Sequence, residues 1–107
     1  MSEYSSLAFD ADANVVNLLG DITFETVQTL LKESALLFEP ITSLTIDLAG
    51  ATRSDSAGLA LLIHWIRLAK HNNKKIIFRH IPKQMMAVAQ AGGVSELLPI
   101  QNEAEFK

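Results

Sequence analysis

The chain has 107 residues, of which 49% are hydrophobic and only 7% aromatic, and it contains no cysteine. This length suits one domain with an aliphatic core, and the lack of cysteine excludes a disulfide framework and thiol chemistry. The net charge of −3, without a long basic run, argues against non-specific binding to nucleic acid or to an anionic membrane. No segment reaches the roughly 20 apolar residues of a membrane span, and the N-terminus lacks a signal-peptide pattern, so we expect a soluble, cytoplasmic protein.

The first part of the chain predicts a hairpin followed by a helix. Short apolar runs predict two strands, at residues 7–9 and 15–19. The turn-rich segment 10–14 between them is typical of an antiparallel hairpin. Thr23 is a good helix N-cap, and apolar residues then follow helical spacing, which places Phe24 on the apolar face of a helix that ends at Pro40.

The middle of the chain predicts a strand–helix–strand unit. Apolar and polar residues alternate over 44–48, as in a strand. Over 57–71 the apolar residues instead recur with helical spacing. The run 74–79 has three adjacent apolar residues and predicts a strand buried on both faces. Such a unit should form a right-handed parallel crossover.

The C-terminal part predicts a third helix and a short ending. Pro82 fits the first position of this helix, and Gly92-Gly93 ends it. Residues 97–100 add either a short edge strand or a packing segment, and 102–107 form either one weak helical turn or a frayed end. The order β-β-α-β-α-β-α predicts an α/β domain over 1–107. Its small mixed sheet should consist of an antiparallel hairpin plus parallel strands, packed with helices.

Small and acidic residues stand where the second helix begins, in the sequence Ser54-Asp55-Ser56-Ala57-Gly58. Asp55 or Ser56 can accept a hydrogen bond from the first free backbone N–H groups of this helix. The hydroxyl that does not cap is left near solvent at the positive end of the helix dipole, where a partner can contact it or a phosphate can be carried. An ordinary helix cap explains the same residues, and the residues alone leave both interpretations open.

A strand with Asp47-Leu48, a short loop and Asp55-Ser56-Ala57-Gly58-Leu59 opening an apolar helix resemble the signature of STAS domains. These domains are shared by sulfate transporters and anti-sigma factor antagonists. The resemblance implies that Ser56 is the partner-contacting position and a candidate phosphorylation site. It is specific over residues 44–70, and STAS domains commonly end in a fuller helix than this chain predicts.

The run from Gly58 to Lys70 more closely resembles one branch of the family, the MlaB type. Members of this branch are small cytoplasmic subunits of the bacterial ABC transporter that maintains the lipid asymmetry of the outer membrane. The resemblance implies that the loop and the helix dock on the ATPase subunit of such a transporter.

A helical wheel divides the helix at 57–71 into three faces. The stripe expected to face the sheet consists of Leu59, Leu62, Ile66 and Ala69. The stripe expected to pack on a neighbouring helix consists of Leu61, Trp65 and Leu68. The remaining flank is small, mixed and partly apolar, as in a non-obligate interface. We expect this flank and the preceding loop to bind the partner, through Ser54, Asp55, Ser56, Ala60, Ile63, His64 and Arg67.

The spacing of the polar residues argues against catalysis. His64 follows Ser56 by eight residues, or ~12 Å along one helix, which is too far for a general base. Two of the histidines, His64 and His71, lie ~10 Å apart and cannot chelate one ion, and His80 has no patterned partner. Nucleophile-elbow, P-loop and dinucleotide-binding motifs are missing. We therefore expect no catalytic residue, cofactor or metal site.

Three hypotheses for function follow. The first is a non-catalytic subunit that binds and supports the ATPase of a phospholipid-transporting ABC complex, at the cytoplasmic face of the bacterial inner membrane. The alternative within the family is an anti-sigma factor antagonist whose Ser56 is phosphorylated by a partner kinase. A small hydrolase is the third, and the spacing of Ser56 and His64 disfavours it.

Overall fold

The computed structural model describes residues 5–101, which form four strands and three α-helices. The elements are β1 (Ser5–Asp10), β2 (Val15–Ile22), α1 (Val27–Leu37), β3 (Ser43–Ser54), α2 (Ser56–His71), β4 (Lys75–Arg79) and α3 (Lys83–Ala91), followed by a short 3₁₀ turn at Ser95–Leu97. This order confirms the predicted β-β-α-β-α-β-α arrangement. The prediction for residues 102–107 lies outside the described residues.

The four strands form one mixed sheet in the order β1-β2-β3-β4. The pair β1–β2 is antiparallel, whereas β2–β3 and β3–β4 are parallel, as predicted. Each edge strand of the sheet also bonds to a segment outside the sheet. On β1 the Leu7 N–H donates to Glu33 Oε1 at 2.9 Å, and on β4 the backbone of Phe78 pairs with Pro99 and Gln101. These contacts satisfy edge groups that would otherwise be open to another strand.

The core lies between the sheet and the helices, on one face of the sheet. On β3 the side chains of Leu44, Ile46 and Leu48 are at most 2% exposed, because alternate residues of a strand point to the same face. All three helices contribute buried residues to the same cluster. None of the helices described over residues 5–101 is long and apolar enough to cross a membrane.

The contact between α1 and α2 centres on Trp65, which is 1% exposed. Its indole Nε1–H donates to Ser34 Oγ at 3.0 Å, and its ring meets Phe38 edge-on with centroids 5.3 Å apart. The predicted packing of this stripe on a neighbouring helix is therefore confirmed for Trp65, while Leu61 is buried in the core. Leu68 is only partly covered, at 41% exposure, and lines a cavity of about 570 Å³ between the two helices together with residues of α1.

Several predicted boundaries differ from the structure. Strand β3 continues to Ser54, six residues beyond the predicted end, because its second half pairs with β2. Pro82 is the N-cap of α3 and not its first residue. Beyond α3, Ile100 forms an isolated parallel bridge with Phe78, while Leu98 is buried, so this segment both pairs and packs.

Helix α1 begins at Val27, so the prediction that Thr23 caps it is wrong. Residues 24–26 form a turn, because Thr26 Oγ1 accepts a hydrogen bond from the Thr23 N–H and donates to the Asp21 carbonyl. Such local side-chain bonds compete with helical ones. The placement of Phe24 on an apolar helix face is wrong as well, since this side chain is 76% exposed.

Candidate functional site

Asp55 caps helix α2, and Ser56 is the exposed first residue of the helix. The backbone of Asp55 is extended, and its Oδ1 accepts hydrogen bonds from the N–H groups of Ala57 at 2.9 Å and Gly58 at 3.3 Å. The hydroxyl of Ser56 is therefore not needed for the cap. It lies at the solvent-exposed, positive end of the helix dipole, which favours contact with anionic or hydrogen-bonding groups.

The second oxygen of the Asp55 carboxylate reaches a different element. Asp55 Oδ2 accepts a hydrogen bond from the Phe24 N–H at 3.2 Å, and the Asp55 N–H donates to the Ile22 carbonyl, also at 3.2 Å. One residue therefore joins the start of α2 to the turn between β2 and α1. Phe24 was not predicted to neighbour the site. A signal was available in the two threonines around it, because Thr side chains favour turns over helix interiors.

Gly58 lets the start of α2 lie close to the end of β2. A Cβ atom at position 58 would stand 2.6 Å from the Ile22 carbonyl oxygen and 3.0 Å from both Ile22 Cγ2 and Met85 Cε. Real Cβ atoms essentially never come within 3.0 Å of another heavy atom. Because glycine has no side chain, the start of α2 can approach both β2 and α3 this closely.

The outer face of α2 carries four of the seven predicted partner-binding residues. Ser56, Ala60, His64 and Arg67 are exposed, and they succeed one another down one side of the helix. His64 also borders the cavity between α1 and α2.

The side chains of the other three predicted residues are less available to a partner. Asp55 is exposed but its carboxylate is committed to backbone N–H groups. Ile63 is partly buried and packs against the core. The Ser54 hydroxyl oxygen is buried and has no hydrogen-bond partner among the described residues. The binding role of all seven residues stays a prediction.

The geometry offers no catalytic pair at this site. Ser56 and His64 ride the same helix, eight residues or ~12 Å apart, and Asp55 accepts three backbone hydrogen bonds. Within residues 5–101 no three His, Cys, Asp or Glu side chains come together in a way that could hold a metal ion.

The sequence matches the family model described as "Mlab, STAS domain" over residues 5–99. The chain belongs to the STAS domain family. It shares its fold with the anti-sigma factor antagonist SpoIIAA in its unphosphorylated form, with a TM-score of 0.66 and 18% identity over 95% of this chain and 91% of that one. The phosphorylated form of SpoIIAA, a Bacillus cell fate determinant, gives a TM-score of 0.64 and 19% identity over 95% of each chain. No curated protein sequence matches the chain.

A second polar cluster of this STAS domain lies on the sheet face opposite the helices. Asp47 of β3, whose side chain is 12% exposed, accepts from the Ala49 N–H at 2.9 Å and contacts the Arg79 guanidinium at 3.7 Å. His80 Nδ1 lies 2.9 Å from Asp47 Oδ1. The backbone φ of +59° at His80 is one that histidine adopts more readily than most residues. His80, for which the sequence offered no patterned partner, therefore has one in Asp47.

The pKa of Asp47 reflects opposing effects. Burial alone would raise it, but the hydrogen bonds from His80 and the Ala49 N–H, with the nearby charges of His80 and Arg79, hold the pKa of Asp47 below its ordinary value of 3.8. A lowered folded-state pKa means that the ionised carboxylate stabilises the fold above that ordinary value. This contribution is lost as the pH falls through the folded pKa.

We therefore expect acid to destabilise the wild-type protein more than Asp47→Asn. The free energy of unfolding, measured by urea denaturation, should fall further for the wild type between about pH 5 and about pH 2, because only the wild type takes up this proton. Equal losses for the two proteins would contradict the assigned role of Asp47.

Proposed function

We propose that this STAS domain is a non-catalytic subunit that binds and supports the ATPase of an ABC transporter moving phospholipids between the inner and outer membranes. It would act at the cytoplasmic face of the inner membrane. The observation that carries the proposal is the exposed Ser56 at the head of α2, freed by the Asp55 cap and followed by an exposed flank. The match to the "Mlab, STAS domain" model supports the choice of partner.

The exposed flank of α2 has the character of a reversible interface. Ala60 is small and lets a partner approach the helix backbone, whereas Arg67 offers several hydrogen-bond donors. Interfaces of this kind are mixed in polarity, and Arg is enriched among the residues that dominate their binding energy. The flank is continuous with the Ser56 hydroxyl, so one partner surface can contact the cap and the helix together.

The same geometry supports a binding role over a chemical one. A general base must reach the proton that it abstracts within roughly 3 Å, directly or through one water, and His64 lies two helical turns from Ser56. The Asp55 carboxylate holds backbone N–H groups in place and does not orient an imidazole.

The second candidate is an anti-sigma factor antagonist regulated by phosphorylation of Ser56. The fold likeness to SpoIIAA, solved in unphosphorylated and phosphorylated forms, favours it as the alternative. A phosphate on Ser56 would lie beside the α2 N-terminus, where the helix dipole tolerates anions. Both candidates use the same surface and differ in the partner.

Copurification with defined partners separates the two candidates. The tagged full chain is coexpressed with the ABC ATPase and permease of its own organism and, separately, with an anti-sigma kinase of that organism. A stable complex with the ATPase that raises or sustains ATP hydrolysis supports the first function. ATP-dependent phosphorylation of Ser56 by the kinase, detected by mass spectrometry, with no ATPase complex, would replace it with the second.

Arg67→Glu should weaken binding of the ATPase while hardly changing stability. The substitution reverses a charge on the exposed flank of α2, and surface changes of this kind usually alter stability by less than ~0.5 kcal/mol. Isothermal titration calorimetry and thermal melting measure the two effects. Lys75→Glu is the matched control, because it makes the same charge change at an exposed position of β4. A large drop in melting temperature with intact binding would show that Arg67 is structural.

A further inference from the structure

Phe24 is the most exposed aromatic side chain described near the site, at 76% exposure. Single exposed apolar residues are common on soluble proteins, so exposure alone decides nothing. Two further features set Phe24 apart. The turn that contains it is held by a hydrogen bond to the side chain of buried Thr26, and the Phe24 N–H donates to Asp55, the residue that caps α2.

The turn that carries Phe24 is fixed by buried side chains. Thr23 and Thr26 are 5% and 3% exposed, and Thr26 Oγ1 accepts from the Thr23 N–H at 3.0 Å and donates to the Asp21 carbonyl at 2.8 Å. Thr23 Oγ1 also donates to Glu25 Oε1 at 3.2 Å. The backbone is thus held while the ring of Phe24 projects into solvent. A fixed backbone and a side chain with two rotatable bonds lose little conformational freedom on binding.

The turn is continuous with the Ser56 surface through Asp55. Each carboxylate oxygen of Asp55 accepts from a different element. Oδ1 accepts from the Ala57 and Gly58 N–H groups of α2, and Oδ2 accepts from the Phe24 N–H of the turn. Asp55 therefore holds Phe24 and Ser56 in a fixed relation to each other. The Phe24 backbone therefore lies next to the residue that precedes Ser56, so that a partner contacting Ser56 can reach the turn that carries Phe24.

We propose that Phe24 is the aromatic anchor of the docking surface that contains Ser56, and that it inserts into an apolar pocket of the partner ATPase. Asp55 is a positioning residue that keeps the anchor in register with α2. This inference rests on the proposed function, because it names the residue through which that partner is held. Large apolar side chains that fill a partner's pocket commonly dominate the affinity of an interface.

The test measures affinity of the full chain for the ATPase subunit by isothermal titration calorimetry. Phe24→Ala should raise Kd at least about tenfold, and Phe24→Leu should raise it less, because leucine keeps part of the apolar volume. Leu36→Ala is the matched control, since Leu36 on α1 is 79% exposed and should leave Kd unchanged. Thermal melting confirms that each variant is folded.

A second measurement tests the positioning role of Asp55 without the partner. Asn caps helices about as well as Asp, but Asp55→Asn leaves a single acceptor oxygen for the three N–H groups. Hydrogen exchange of the Phe24 amide, followed by NMR, should become faster in Asp55→Asn. The loss of affinity caused by Phe24→Ala should also be smaller in this background, because the anchor is no longer held in place.

The outcomes separate the inference from the function on which it rests. If the wild type binds the ATPase and Ser56→Glu disrupts binding while Phe24→Ala does not, the anchor is overturned and the proposed function stands. If Leu36→Ala weakens binding as much as Phe24→Ala, the loss is not specific to the turn and the anchor is overturned. If the wild type does not bind, the proposed function fails and the anchor fails with it. Unchanged exchange of the Phe24 amide in Asp55→Asn overturns the positioning role.

Discussion

Gly58→Ala is expected to destabilise the domain by about 1–2 kcal/mol, although alanine is the better helix former. The added Cβ would stand 2.6 Å from the Ile22 carbonyl oxygen, and a backbone atom of a buried strand end cannot move aside cheaply. The gain in helix propensity, about 1 kcal/mol, offsets only part of this strain. Urea denaturation followed by circular dichroism measures the difference.

Ala60→Gly provides the matched control for Gly58→Ala. Position 60 is exposed on the same helix, so glycine there should cost about 1 kcal/mol from propensity alone. The two positions should therefore rank alanine and glycine in opposite orders. If Gly58→Ala stabilises the protein, the close approach of α2 to β2 does not require a glycine at position 58.

The strand–helix–strand unit could be predicted from the sequence because burial dictates its pattern. Leu44, Ile46 and Leu48 alternate with polar residues, and all three are buried in the structure. The N-cap of α2 could also be predicted from the sequence, to within two candidate residues. Helix ends leave free N–H groups, and few side chains satisfy them, so Asp55 was one of only two candidates.

The second half of β3 could not be predicted, because its pairing is long-range. Residues 49–54 lack apolar alternation, yet they pair with β2 up to the contact of Ile22 with Ser54. At Gly50 a Cβ would lie 3.0 Å from the Leu18 carbonyl oxygen on the neighbouring strand, which favours a small residue there. Pairing with a distant strand does not produce an apolar periodicity in the local sequence, so it cannot be predicted from that sequence.

The turn at Phe24 was mispredicted for a local reason. Apolar spacing extends from the helix back to Phe24, but residues 24–26 form a separate turn, in which the side chain of Thr26 bonds the backbone at Thr23 and Asp21. Periodicity detects burial and does not detect such hydrogen bonds. The contact between Asp47 and His80 was missed for a different reason, because 33 residues separate the two and only the sheet brings them together.

Ser56→Glu should leave the domain folded and disrupt its complex with the ATPase. The fold should survive because Ser56 is exposed at the first position of α2, where an acidic residue is favourable by ~0.3–1 kcal/mol. The complex should lose ~2–5 kcal/mol of binding free energy, the range seen when a charge is left buried in an interface without a partner. Asp55 adds a like charge beside it. Ser56→Ala should be milder, since it removes one hydroxyl and adds no charge.

Ser56→Gln separates the effect of charge from the effect of size, because glutamine has the shape of glutamate without its charge. If Glu disrupts copurification of the ATPase and Gln does not, desolvation of the charge is the cause. If both disrupt it equally, the partner fits tightly over Ser56 and the size of the side chain decides. Circular dichroism shows in each case that α2 is formed. Wild-type affinity of Ser56→Glu would mean that Asp55 and Ser56 only begin a helix, and that the partner binds elsewhere on the domain.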